Sequence, residues 1–162
     1  RKFTMAPFDI CEMARLILFS FEGKIDEKRL DVEFCCDDER ITVLADRDAI
    51  YQILYNICDN AVKFSKEGGK LRVSLSYIPQ DHVKIGVYNE GAGISKADLP
   101  FVFERFYKGD KSRGLDKSGV GLGLFIAKTI MDAHHEKIWV ESEENKYCEF
   151  DFTLPLADAE NG

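Results

Sequence analysis

The chain has 162 residues, 45% of them hydrophobic, which suits one domain with a buried core and argues against two. Its 22 basic and 29 acidic residues give a formal charge of -7, so broad nucleic-acid binding, which needs basic patches to displace counterions, is disfavoured. An odd count of five cysteines, no Cys-x-x-Cys and no long apolar run predict a reducing cytoplasmic setting, no disulfide framework and no direct membrane contact.

In chain order, the first predicted element is a helix over 8–21, with Ile10, Met13, Ala14, Ile17 and Leu18 on one side and Asp9 as cap. Residues 30–34 alternate and read as a strand, with 41–44 as a shorter hairpin partner. Asp46 caps a helix running to about Phe64, where Ile50, Ile53, Leu54, Ile57 and Ala61 form an apolar stripe. Gly68 and Gly69 end that run. Two alternating strands follow, with Leu71, Val73, Leu75 and Tyr77 on one face of the first and Val83, Ile85 and Val87 on one face of the second.

A tight loop at 91–93 leads to a short helix expected over 95–107. Residues 109–119 hold glycines and charges with almost no apolar side chain, and read as a mobile loop. A strongly apolar helix over 122–134 and strands at 138–141 and 148–154 complete the pattern. Residues after Pro155 are expected to fray. About three helices and six strands in mixed order predict an α+β two-layer sandwich, a mixed sheet with helices on one face.

Four segments carry chemistry-bearing residues. In the helix ending at Phe64, spacings of four and three put Asn56, Asn60 and Lys63 on one face. Magnesium prefers oxygen ligands and keeps waters, so an Asn carbonyl with phosphates would suffice to hold it, and Lys63 would neutralise phosphate charge. Taken alone, such a stripe equally suits a solvated face of an amphipathic helix. The second segment is Tyr88-Asn89-Glu90-Gly91-Ala92-Gly93-Ile94, where a strand ends in an amide and two glycines admit a close ligand; a plain turn reads the same way. The third, Gly119-Val120-Gly121-Leu122-Gly123, opens a helix and exposes backbone N–H groups to phosphate. It follows a loop rather than a strand, so it is no dinucleotide fingerprint. The fourth is the loop with Lys108, Lys111, Arg113 and Lys117, a candidate lid over phosphates or simply a solvated loop.

In this order the segments resemble the N, G1, F and G2 boxes of the ATP-binding catalytic domain of two-component sensor histidine kinases. The F box would be Phe103-Glu104-Arg105-Phe106-Tyr107, and Phe150-Asp151-Phe152-Thr153-Leu154-Pro155 resembles the usual closing strand. The resemblance covers the chain from about Phe8 to Pro155. It implies a Bergerat-type sandwich over 8–156, with 1–7 as the end of a linker and 157–162 as a tail. It implies ATP with Mg²⁺ and γ-phosphoryl transfer to a histidine on a separate dimerisation domain, through which the parent forms a homodimer. A response regulator would follow as partner, and the parent would be membrane-anchored with this domain in the cytoplasm.

Carried over by position, Asn60 would bind Mg²⁺ and Asn56 would support metal and phosphates. Lys63 and Arg105 would act on the phosphates, and Phe64 would pack near adenine. Asn89 would face the adenine amino group, with Cys148 beside it, and Gly91, Gly93 and Ile94 would shape the pocket. Phe106 and Lys108 would close from the F box and lid. Gly119, Val120, Gly121, Leu122 and Gly123 would form the lid hinge and phosphate turn.

Water-activating ATPases resembling this fold place a Glu four residues before the metal-binding Asn. Here that position is Asn56, and an amide takes no proton from water at neutral pH. Transfer to another domain is therefore expected rather than hydrolysis. His82, His134 and His135 are the histidines of the chain, and none stands in the helical context of a phosphoacceptor; His134 reads as a helix-end cap. Two positions depart from the family pattern: Asn89 stands where an Asp is usual, and Tyr147-Cys148 where a Gly-Thr pair is usual. Both positions read adenine in the family, so weaker and less selective base recognition is expected. The other readings are a decayed docking domain and a serine-directed kinase of the same fold.

Overall fold

The computed structural model describes residues 2–104 and 120–157, the side chains of 120–123 excepted. Strand β1 (Met5–Asp9) leads directly into helix α1 (Ile10–Ser20), and a second short helix α2 (Glu22–Lys28) follows. Strands β2 (Asp31–Cys36) and β3 (Thr42–Asp46), helix α3 (Arg47–Phe64), and strands β4 (Lys70–Ile78) and β5 (His82–Glu90) come next. Helix α4 (Val120–Ala133) and strands β6 (Ile138–Glu143) and β7 (Tyr147–Pro155) close the chain. Five strands form one mixed sheet in the order β2-β4-β5-β7-β6, and β1 and β3 form a separate antiparallel pair.

The expected α+β sandwich is present, with four described α-helices rather than three. Val73, Val83, Ile85, Phe152 and Leu154 are fully or almost fully buried on one face of the sheet, in a single core with Ile10, Ile17, Ile50, Leu54 and Met131 of the helices. No described helix is long and apolar enough to cross a membrane.

Several local expectations fail for reasons that lie outside their own segments. Residues 41–44 do not pair with the preceding strand: β3 pairs with β1, while β2 lies parallel to β4. The helix expected from Phe8 starts at Ile10, because Asp9 still belongs to β1 and its carboxylate accepts the N–H groups of Cys11 and Glu12. That helix breaks at Phe21, and α2 ends at Arg29 in the left-handed region. The helix expected over 95–107 is, among described residues, only a 3₁₀ turn at Leu99–Phe101, with Pro100 in its first turn. Fraying does not begin at Pro155, since Leu156 and Ala157 donate to Asp81 O and Thr42 O at 2.8 Å each. Cys11 and Cys36 form a single disulfide between α1 and the end of β2, a bond not expected from the sequence; Cys35, Cys58 and Cys148 are free.

The sheet face away from the helices holds a buried carboxyl group. Asp151 is 1% exposed, and among the described residues its Oδ1 has no hydrogen-bond partner. Gly86 on the neighbouring strand makes the room, since a Cβ there would lie 2.6 Å from that oxygen. Burial, then the neighbouring Glu149, pushes the Asp151 carboxyl up to about 8, against the weaker opposing pull of Lys84. An unfolded Asp titrates near 3.8. Between about pH 4 and about pH 8 the folded state thus holds a proton that the unfolded chain has released, and stability falls as pH rises through that window. Asp151→Asn, neutral at every pH, should flatten this decline and raise Tm at the alkaline end by a few degrees. Thermal melts of both proteins across the window check it; parallel pH profiles would disprove the assignment.

Candidate functional site

Helix α3 owes its position to two polar anchors. At its start the Asp46 side chain accepts the N–H of Ala49 at 2.9 Å and that of Thr4 at 2.8 Å, while the Asp46 N–H donates to His134 Nε2 at 3.1 Å. His134 Nδ1 lies 2.9 Å from Ile130 O, so this buried ring ties the end of α4 to the start of α3 as a neutral donor–acceptor. At the other end Lys28 Nζ donates to three carbonyls, Val62 O, Lys63 O and Ser65 O, at 2.8, 2.7 and 2.9 Å. These are carbonyls that a helix end leaves without intrahelical partners, and a cation there also complements the dipole. Partial burial holds the Lys28 ammonium below its ordinary pKa.

Between the anchors the helix separates its faces as the spacing predicts. Ile50, Ile53, Leu54, Ile57 and Ala61 are buried, Asn56 and Asn60 are half-buried, and Lys63 is exposed. Among the described residues nothing hydrogen-bonds the side-chain amide of Asn56 or Asn60. Lys63 pairs with Asp59 at 3.2 Å, one turn earlier. Such a part-exposed pair is worth only about 0.3–0.5 kcal/mol and exchanges readily for another anion. Cys58 is an inert core thiol, pushed up to about 12 by burial and then by Asp59.

The end of α3 is stapled to the end of β5. Ser65 leaves the helix in an extended conformation and forms an antiparallel bridge with Gly91. Lys66 N donates to Glu90 O at 2.9 Å, and Lys70 N to Glu90 Oε1 at 2.8 Å. The approach is so close that a Cβ on Gly91 would collide with the carbonyl oxygen of Phe64. Phe64 itself is half-buried against the core.

The loop after β5 is held from its other side by the β6–β7 hairpin. Gly91 N donates to Lys146 O at 3.2 Å, Asn145 N to Ala92 O at 2.6 Å, and Ile94 N to Ser142 Oγ at 2.8 Å. Gly93 has φ +66, and a Cβ there would meet Glu143 O. Asn89 is buried, and Cys148 of β7 stands opposite it in register. Burial pushes the Cys148 thiol up to about 12, against a hydrogen bond from Ser142 that lowers it. Beyond the loop, Val102 is buried and Phe103 packs edge-on against Phe150 with ring centroids 6.1 Å apart.

The fold thus brings Phe64 at the end of α3 against Gly91 after β5 and sets Asn89 opposite Cys148 on β7, while Asn56, Asn60 and Lys63 stand on α3 before that junction. Val120, Gly121, Leu122 and Gly123 lie in the first turn of α4. Arg105, Phe106, Lys108, Gly119 and the lid expected at 109–119 lie outside the described residues. Sequence reasoning missed Lys28, Ser65 and Ser142, which hold the junction together; only the place of Ser65, directly after the helix, was a signal. Gly91→Ala should cost about 1–3 kcal/mol through overpacking at the staple and weaken ligand binding, whereas Gly23→Ala, in α2 with nothing within 4 Å of its Cβ, should leave binding unchanged and raise stability by up to about 1 kcal/mol. Thermal melts and nucleotide titration of both variants check this.

Residues 45–158 match the family described as histidine kinase-, DNA gyrase B-, and HSP90-like ATPase. The chain is 39% identical over 160 residues to the sensor histidine kinase WalK of Bacillus subtilis, covering 97% of this chain and 26% of WalK. It is 35% identical over 133 residues to the adaptive-response sensory kinase SasA of a Synechococcus strain, covering 82% of this chain and 35% of SasA. The chain therefore spans about a quarter to a third of these curated relatives. Among solved structures, the catalytic domain of the histidine kinase ThkA superposes with a TM-score of 0.81 at 32% identity, covering 94% of this chain and 97% of that domain. Full-length ShkA, solved with AMPPNP, superposes with a TM-score of 0.83 at 29% identity, covering 98% of this chain and 32% of ShkA.

Proposed function

The chain belongs to the histidine kinase-, DNA gyrase B-, and HSP90-like ATPase family, and from that premise we propose a specific reaction: it binds Mg-ATP and transfers the γ-phosphoryl group to a histidine on a separate dimerisation domain of its parent. The observation that carries this reading is the α3–β5 junction, where the amides of Asn56 and Asn60 and the ammonium of Lys63 share a helix face beside the Asn89–Gly93 loop. The likeness to the ThkA catalytic domain over nearly its full length supports it.

The donor set suits a magnesium ion that arrives on its nucleotide. Among the described residues no group of three or more His, Cys, Asp or Glu side chains could hold a metal alone. Neutral amide oxygens at Asn60 and Asn56, with phosphate oxygens and water, make the hard oxygen environment this ion prefers. Bound there, it would neutralise charge developing on the phosphates. Lys63 adds a cation on the same face, and Arg105 and Lys108 would add two more from the F-box side. The Gly119–Gly123 turn would offer backbone N–H groups to phosphate oxygens.

In the reaction a ring nitrogen of the acceptor histidine attacks the γ-phosphorus, the bond to the β,γ-bridging oxygen breaks, and ADP leaves with that electron pair. Little covalent chemistry falls to the protein; positioning and charge stabilisation dominate. Asn56 occupies the place where a water-activating carboxylate would stand, and an amide is no general base. His135 is no substitute acceptor: it sits in the left-handed turn after α4, with φ 59. The parent would be a membrane-anchored homodimer with this domain in the cytoplasm, passing its phosphoryl group to a response regulator. ThkA is solved in complex with the response regulator protein TrrA.

The domain alone should turn ATP over slowly, yet label a separately supplied dimerisation domain of its parent from γ-labelled ATP. Asn60→Ala should weaken Mg-dependent ATP binding by about tenfold, the loss of roughly 1.4 kcal/mol. Rapid Mg-dependent hydrolysis by the domain would overturn the transfer reading. Acid-stable labelling would point to a hydroxyl acceptor, and absence of nucleotide binding to a docking domain.

A further inference from the structure

The pocket end of β5 holds a donor that the fold leaves unpaired. Asn89 is 5% exposed, and among the described residues its Nδ2 has no hydrogen-bond partner. Its strand neighbours explain why. In register it faces Leu71 on β4, which has no polar side-chain atom, and Cys148 on β7, a neutral thiol and a weak partner. Gly91, whose missing Cβ admits the Phe64 carbonyl oxygen, lies beside the amide: a Cβ there would stand 3.2 Å from Nδ2. Buried amides are rarely left this way, and an unpaired one beside a binding loop points to a partner supplied by the ligand.

A carboxamide carries a donor and an acceptor side by side, whereas a carboxylate in the same place only accepts. We propose that Asn89 makes this site dual in its purine reading, taking 6-oxo purine nucleotides nearly as well as 6-amino ones; the proposal rests on the nucleotide-binding reading above. Toward a 6-aminopurine, Oδ1 accepts from the amino group and Nδ2 donates to N1. With the amide turned over, Nδ2 donates to a 6-oxo oxygen and Oδ1 accepts from N1–H. Each pairing uses both ends of the amide, so neither base leaves a buried polar atom of Asn89 unmatched. Cys148 opposite is too weak a hydrogen-bonding group to restore a preference.

Calorimetric titration of the chain with Mg-ATP and Mg-ITP tests this. ITP changes the 6-position without the 2-amino group of GTP, so pocket width does not enter. The two dissociation constants of the unaltered chain should lie within about fivefold of each other. Asn89→Asp should widen the ratio in favour of ATP by about tenfold or more, the equivalent of one 1.4 kcal/mol interaction. Tight ATP binding with ITP excluded by about a hundredfold in the unaltered chain would overturn the dual reading and leave the nucleotide site standing; this comparison needs no variant. An unchanged ratio in a folded Asn89→Asp protein would overturn the role of the amide. Failure of both nucleotides to bind would remove the nucleotide site and the inference with it.

Discussion

The structure of the site depends on one close backbone contact: the end of α3 lies against the end of β5, with Gly91 under the carbonyl of Phe64. Helices and sheets normally meet through side chains. Here two backbones bond directly, and only a residue without a Cβ permits it. That contact joins the helix that carries Asn56, Asn60 and Lys63 to the strand that carries Asn89. Around it the protein spends its polar groups on position. Lys28 takes three carbonyls at the helix end, Asp46 and His134 lock the helix start, and Ser142 holds the glycine loop from the hairpin side.

The same sheet keeps one unpaired polar atom on each face, and the two have different meanings. Asp151 Oδ1 lies on the face away from the helices, beside Glu149, where holding a proton relieves the charge. Protonation there removes the buried charge. Asn89 Nδ2 lies on the helix face at the binding junction, and an amide has no protonation state with which to relieve itself. Among the described residues nothing pairs it. Burial that costs the protein stability in one place would serve recognition in the other under the proposed reading.

Which parts of this were legible in the sequence follows from the range of the forces involved. The buried stripe of α3, its Asp46 cap, and the alternation in β4, β5 and β7 were readable because periodicity and capping are local. The positions of the site residues along their elements were equally readable, since a spacing of four and three fixes a helix face whatever the helix packs against. Pairing was not. Residues 41–44 look like a hairpin partner for the preceding strand, yet β3 pairs with Met5–Asp9, because the five-stranded sheet already takes β2 beside β4. Cys11 and Cys36 gave no local sign of their bond, since α1 and β2 meet only in the folded chain.

By itself the sequence determined the element types, the buried and polar faces of each helix, and the four ordered motifs that place the chain in its family. It also determined that Asn56 supplies no base, since that is a property of the amide and not of its surroundings. Tertiary structure decided what each polar residue is for. Lys28, one charge among many along the chain, became the anchor of α3. Asn89 became a buried donor without a partner, and Asp151 a carboxyl that keeps its proton. The reason is that burial and hydrogen-bond partners are set by strands and helices arriving from distant parts of the chain, and the cost of an unmatched polar group exists only once water has been removed around it.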